Sequence, residues 1–192
     1  MARRNRKYKL GLVGDSTAEH YPLEDLEDQD IDPIVLSCSP KKARDLVRSG
    51  RLDDMIHYTH ENHPDLDAVF IFIGGNDVGP NCEVREILAN ILEIAQGFED
   101  IGIPQIIMPL MNRDNPRGIS VSKYTMIRNG VNRLIRRHYQ RNFQRGVVFN
   151  MENLELKSDG VHLTRWSYRK LSRAIKIQLN YHTNLLPTGH FM

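Results

Sequence analysis

KLGLVGDSTAEHY, residues 9–21, is apolar up to Gly14-Asp15-Ser16 and polar beyond it. A short apolar run that stops at a glycine and leads into Ser-Thr-Ala-Glu reads as a buried strand feeding a helix. Ser16 then has two readings. A serine at a helix start is ordinarily a cap, its hydroxyl satisfying a backbone N–H of the first turn. A serine at the top of a buried strand is also where a nucleophile can stand. The tripeptide does not choose between them, and the rest of the chain must.

Working outward, Ile34–Ser37, Ala68–Ile73, Gln105–Met108 and Val147–Asn150 share the character of Lys9–Val13: short, apolar and rich in Val, Ile and Phe. They read as buried strands. Amphipathic stretches lie between them. Glu83–Phe98 sets Val84, Ile87, Leu88, Ile91, Leu92 and Ala95 on one helical face. Val121–Gln140 does the same with Ile127, Val131, Leu134 and Ile135, and Trp166–Gln178 with Leu171, Ala174, Ile175 and Ile177. Residues 41–59 read as helical with a break at Gly50. Strands joined by helical crossovers pair in parallel and are covered on both faces. The expected fold is a three-layer α/β/α sandwich around a five-stranded parallel sheet, flavodoxin-like in plan.

The 192 residues suit one domain with a full core, and no Pro/Gly/Ser linker or repeat divides them. A basic arm (residues 1–8) and a tail (from about residue 183 to 192) flank it. Cys38 and Cys82 form no C-x-x-C pair, which argues against a disulfide framework and a structural zinc site. The basic N-terminus lacks the apolar segment of a secretory signal, and no apolar run reaches the length of a membrane span. An intracellular protein, cytoplasmic or nuclear, is expected. The net charge is +2, yet Arg128, Arg133, Arg136, Arg137, Arg141 and Arg145 load one segment. Such clusters follow phosphate in some proteins and are solvated helix faces in most.

In parallel sheets ligands sit beyond the carboxyl ends of the strands. After the first strand comes Gly14-Asp15-Ser16; after the third, Gly74-Gly75-Asn76-Asp77; shortly after the fifth, Ser158-Asp159-Gly160-Val161-His162. Capping alone does not explain polar groups from three segments on one rim. A serine hydroxyl needs a base, usually an imidazole, and the imidazole needs an acid group to fix its tautomer. Asp159 and His162, three apart on one loop, meet that need. A tetrahedral intermediate needs hydrogen-bond donors, and the Ser16 N–H and the Asn76 carboxamide are candidates. The bland alternatives are a surface histidine at 162 and a turn at Gly-Gly-Asn-Asp. Asp77 caps a turn or supports Asn76. His57, His60 and His63 have a metal-like spacing but no carboxylate or cysteine placed to complete a site, so no metal is expected. Trp166 reads as a core anchor before a base-stacking residue, with Tyr168 close behind it.

Gly14-Asp15-Ser16, Gly75-Asn76-Asp77 and Asp159-x-x-His162, in this order and after these strands, resemble the SGNH (GDSL) hydrolases over nearly the whole chain. The resemblance implies an acyl-ester hydrolase without metal or cofactor, acting on a small ester or a lipid. Ser16 is its implied nucleophile, His162 its base and Asp159 the orienting partner. Asn76 is an implied oxyanion donor, and Asp15, Gly75 and Asp77 support the site. The family's glycine after the second strand, a further oxyanion donor, falls here at Ser39 or Pro40. Ser39 keeps the N–H; Pro40 has none to give. The runs "ARDLV", "IGGNDVG" and "SDGVHLTRWSYRKLSRAI" resemble in particular the SGNH domains of eukaryotic mobile elements such as retrotransposons. The alternative is a nucleic-acid (RNA) or protein-binding module using Arg133, Arg136 and Arg137.

Overall fold

A computed structural model describes residues 6–37, 42–141, 146–148 and 154–185. Strands β1 (Tyr8–Gly14), β2 (Ile31–Ser37), β3 (Ala68–Phe72), β4 (Gln105–Ile107) and β5 (Gly146–Val148) form one sheet in the order β2-β1-β3-β4-β5. Every neighbouring pair is parallel, and the order is the flavodoxin-like one. Tyr8, expected to end the basic arm, is the first residue of β1 and pairs with Ile31. β2 begins three residues before the expected Ile34 because Pro33 lies on an edge strand, where a missing N–H costs no ladder bond. β3 and β4 each end one residue early, and β5 begins one residue early; Asn150 lies outside the described residues.

The helices are α1 (Ser16–Glu19), α2 (Leu23–Glu27), α3 (Ala43–Arg48), α4 (Arg51–Asn62), α5 (Val84–Asp100), α6 (Val121–Arg141) and α7 (Arg165–Leu185). The helix expected over 41–59 is two helices divided at Gly50, whose φ of +74° is left-handed. Residues 183–185, expected to open the tail, belong to α7; residues 186–192 lie outside the described residues, as do 1–5.

Adjacent residues of each inner strand pack to opposite sides. Leu10, Leu12, Phe70, Phe72 and Ile106 meet Ala18, Leu26, Tyr168, Leu171, Ile175 and Leu179 of α1, α2 and α7. Val13, Val69, Ile71 and Ile107 meet Leu46, Met55, Ile91, Phe98, Val131 and Ile135 of α3 to α6. Burial on both faces is why these strands read as continuous apolar runs rather than alternating ones. On α7 two expectations fail. Trp166 is 55 % exposed and Ile177 65 % exposed, on the helix face opposite Leu171 and Ile175, with the Lys170 ammonium 5.2 Å over the indole. Trp166 is therefore no core anchor. Tyr168 fills that place, 2 % exposed, and its hydroxyl donates to the Thr17 carbonyl at 3.0 Å, seating α7 on α1.

Candidate active site

β1 delivers Ser16 to the rim through Gly14. A Cβ at residue 14 would stand 2.4 Å from Ala18 Cβ and 2.7 Å from the Phe72 carbonyl oxygen, so only glycine lets α1 fold back onto the sheet there. The cap of α1 is Asp15 and not Ser16: Asp15 Oδ1 accepts from Thr17 N–H at 2.9 Å. Ser16 stands one position later, with its hydroxyl released from capping. The bland reading of the opening stretch belongs to its neighbour.

The loop from Glu155 to Thr164 carries the acid–imidazole pair. Leu156 and Leu163 bridge antiparallel, and Lys157 N–H donates to the His162 carbonyl at 2.7 Å. Gly160, at φ +67°, turns the tip, and a Cβ on it would stand 3.0 Å from both Asn115 N and Asp114 Cβ. Asp159 Oδ1 accepts from the backbone N–H groups of Val161 (2.8 Å) and His162 (2.9 Å). Its Oδ2 lies 2.7 Å from His162 Nδ1. Those bonds, the imidazole's first, hold the Asp159 carboxyl well below the usual carboxylate range. A carboxylate only accepts, so Nδ1 carries the proton and Nε2 is the basic nitrogen. His162 Nε2 is 3.4 Å from Ser16 Oγ, a long contact of the kind that tightens when substrate binds.

Asn76 sits in a single 3₁₀ turn, Gly75–Asp77. Its Oδ1 accepts from Arg113 Nη2 at 2.8 Å. A guanidinium can only donate, so this bond assigns which end of the carboxamide is oxygen and which is the donor nitrogen. Arg113 was not among the residues expected here. It follows β4, at the same carboxyl rim as the three motifs, with its side chain only 11 % exposed. Nη2 also lies 3.9 Å from Asp15 Oδ2, and the guanidinium carbon is 5.8 Å over the Tyr124 ring. A Cβ at Gly75 would press to 3.1 Å from the same nitrogen. Burial raises the Asp15 pKa, while the Thr17 backbone bond and the Arg113 charge pull it back.

The Asp77 carboxylate does not cap its own turn. Oδ2 accepts from Ala43 N–H (2.9 Å) and Oδ1 from Arg44 N–H (3.1 Å), so it caps α3 across 34 and 33 residues of sequence. The position beside Asn76 thereby anchors the end of the segment that carries Ser39 and Pro40. Those two residues, and Cys38, lie outside the described residues.

His20 is a second addition. Its Nδ1 lies 2.6 Å from the Ser16 carbonyl oxygen, and its ring centroid 5.1 Å from that of His162. The opening stretch held this residue in plain view, but the contact depends on the His162 loop. Ser16, Asn76, Asp159, His162, His20 and Arg113 all border one cleft of about 810 Å³. Arg133, Arg136 and Arg137 do not; they are exposed along α6. Among the described residues no group of His, Cys, Asp and Glu is arranged to hold a metal ion. His57 of the histidine run instead faces Glu61 at 3.3 Å. No described helix is long and apolar enough to cross a membrane.

No family model matches the sequence, and no curated protein does. Solved structures do. The chain is similar to a lipase/acylhydrolase from Enterococcus faecalis (19% identity, 95% of this chain and 100% of that one, TM-score 0.66). It is similar also to a GDSL-like lipase from Bacteroides thetaiotaomicron (13% identity, 90% and 88%, TM-score 0.65). A third is a psychrotrophic esterase from Pseudoalteromonas sp. inhibited by monoethylphosphonate (16% identity, 93% and 100%, TM-score 0.62). The fold is that of the SGNH/GDSL hydrolases.

Proposed function

We propose that this chain is a serine-dependent hydrolase of carboxylic esters. The observation that carries the proposal is the relay Ser16 Oγ–His162 Nε2–Nδ1–Asp159 Oδ2, with contacts of 3.4 and 2.7 Å, at the carboxyl rim of the sheet. His162 takes the Ser16 proton as Oγ bonds to the acyl carbon, and Asp159 stabilises the imidazolium. The tetrahedral oxyanion is met by the Ser16 N–H and by the Asn76 amide that Arg113 orients. His162 then gives its proton to the departing alkoxide, and water repeats the sequence on the acyl-serine to release the acid. The lipase and esterase neighbours support ester chemistry on this fold. The test is release of p-nitrophenol from p-nitrophenyl acetate by the purified protein; a rate equal to buffer alone contradicts the proposal.

A second reading has its own observation. Arg133, Arg136 and Arg137 are exposed on one helix and make no ion pair among the described residues. We propose for this face a polyanionic partner such as RNA, a role in keeping with the resemblance to mobile-element domains. An RNA affinity that falls with salt and with R133Q/R136Q/R137Q, and is indifferent to Ser16→Ala, carries this reading; binding unaffected by the triple change removes it.

A further inference from the structure

The walls of the active-site cleft are chemically lopsided. Its apolar lining among the described residues comes from Val78, Pro80, Pro116, Val161 and the Tyr124 ring, with no Leu, Ile, Met, Phe or Trp. A long acyl chain gains about 0.8 kcal/mol for each methylene it buries, and this lining offers little surface on which to bury them. An acetyl-sized group loses nothing by that.

The polar lining is cationic at two points. Lys42, just before α3, and Arg117, in the loop after β4, both border the cleft. Neither side chain has an ion-pair or hydrogen-bond partner among the described residues, in contrast to Arg113, whose guanidinium faces Asp15 and donates to Asn76. Of the acids on the same walls, Asp159 keeps its charge but commits both oxygens to His162 Nδ1 and two backbone N–H groups, and Glu19 stands at the end of α1. Two cations from separate segments, with no side-chain partner among the described residues, are placed to receive an anion, and a cleft holds one better than a flat surface does.

Resting on the hydrolase reading above, we infer that the preferred substrate is a short-acyl ester whose alcohol half carries a negative charge. Lys42 and Arg117 hold that charge. The ester C–O bond breaks as in any acyl transfer. The anionic group of the alcohol is untouched and leaves with it, the alkoxide taking its proton from His162. A carboxylate and a phosphate on the alcohol share this chemistry.

The experiment compares acetyl esters of 4-hydroxybenzoate, of 4-hydroxyphenyl phosphate and of methyl 4-hydroxybenzoate, each rate referred to that ester's own hydroxide hydrolysis. At low ionic strength the anionic esters are expected to show kcat/KM about 10-fold or more above the neutral one. Near 1 M salt the ratio shrinks. In Lys42→Gln/Arg117→Gln it falls to about one, and in Glu19→Gln it rises, as expected for a local charge balance. The larger of the two anionic rates names the anion. A ratio of one or less in the wild type, or a ratio the double change leaves intact, overturns the inference while the hydrolase reading stands. Faster turnover of octanoyl than acetyl esters overturns its short-acyl half. Hydrolysis of none of these esters overturns the hydrolase reading, and the inference with it.

Discussion

Ser16→Ala and His162→Ala each lower kcat/KM for p-nitrophenyl acetate by about 10⁴-fold or more, and the double variant is no slower than either single one. The non-additivity follows from the geometry. Ser16 Oγ is a nucleophile only while Nε2 of His162 takes its proton, so losing either group loses the same step. Two independent sites would give additive losses instead. Asp159→Asn costs up to about 10⁴-fold by the same logic, since an amide can present the wrong hydrogen-bonding end to Nδ1. The pH profile bears on Asp159. Asp159 titrates below the usual carboxylate range, so it stays ionised down to acid pH. Whatever stability its lowered pKa contributes is present above that range and is lost only as pH falls through the folded value. Between neutral and mildly acid pH, Asp159 is therefore expected to cause neither a loss of kcat/KM nor unfolding. A loss of structure in that range that Asp159→Asn abolishes contradicts this assignment.

Arg113→Met lowers kcat by about two to three orders of magnitude with a smaller effect on KM, the signature of a lost oxyanion donor. Arg113 makes no contact with the reacting atoms in this account. It acts by holding Asn76 Oδ1 at 2.8 Å, which turns the amide nitrogen into a fixed donor. It also faces the buried Asp15 carboxylate at 3.9 Å. The second role gives a readout that a purely catalytic one does not. Burial already raises the Asp15 pKa, and removing the nearby cation raises it further. A carboxyl with a raised folded pKa costs nothing while protonated and destabilises as pH rises through that value. The stability deficit of Arg113→Met, measured by urea unfolding, is thus larger at neutral pH than at acid pH. Arg113→Lys restores the charge beside Asp15 but not the planar donor, so it recovers stability more than kcat. Equal recovery of both by lysine would show that Asn76 does not need the guanidinium.

Periodicity and turn chemistry carried the layers, the strand positions and the three rim segments, because burial on both faces of a sheet leaves a local trace in sequence. What local pattern cannot record is a partner distant along the chain. Asp77 caps a helix 33 and 34 residues earlier, and Arg113 meets Asn76 from 37 residues later. Neither pairing has a spacing rule. The loop after β4, where Arg113 stands, opens onto the same carboxyl rim as the segments after β1, β3 and β5. Trp166 shows the converse: its size suggested burial, yet the stripe that packs is set by Tyr168, Leu171, Ile175 and Leu179, and tryptophan falls on the other side. In the opening stretch the competition between cap and nucleophile was a competition between neighbours. Asp15 does the first task, and the Ser16 hydroxyl takes no part in the cap.

The most direct measurement is covalent. Incubation with a reactive alkyl phosphonate ester, followed by proteolysis and mass spectrometry, is expected to find one adduct, on the peptide that carries Ser16. The adduct is absent in Ser16→Ala and forms at least about 100-fold more slowly in His162→Ala, where the base is gone. An adduct on a different residue, or labelling of Ser16 at the same rate without His162, would contradict the account.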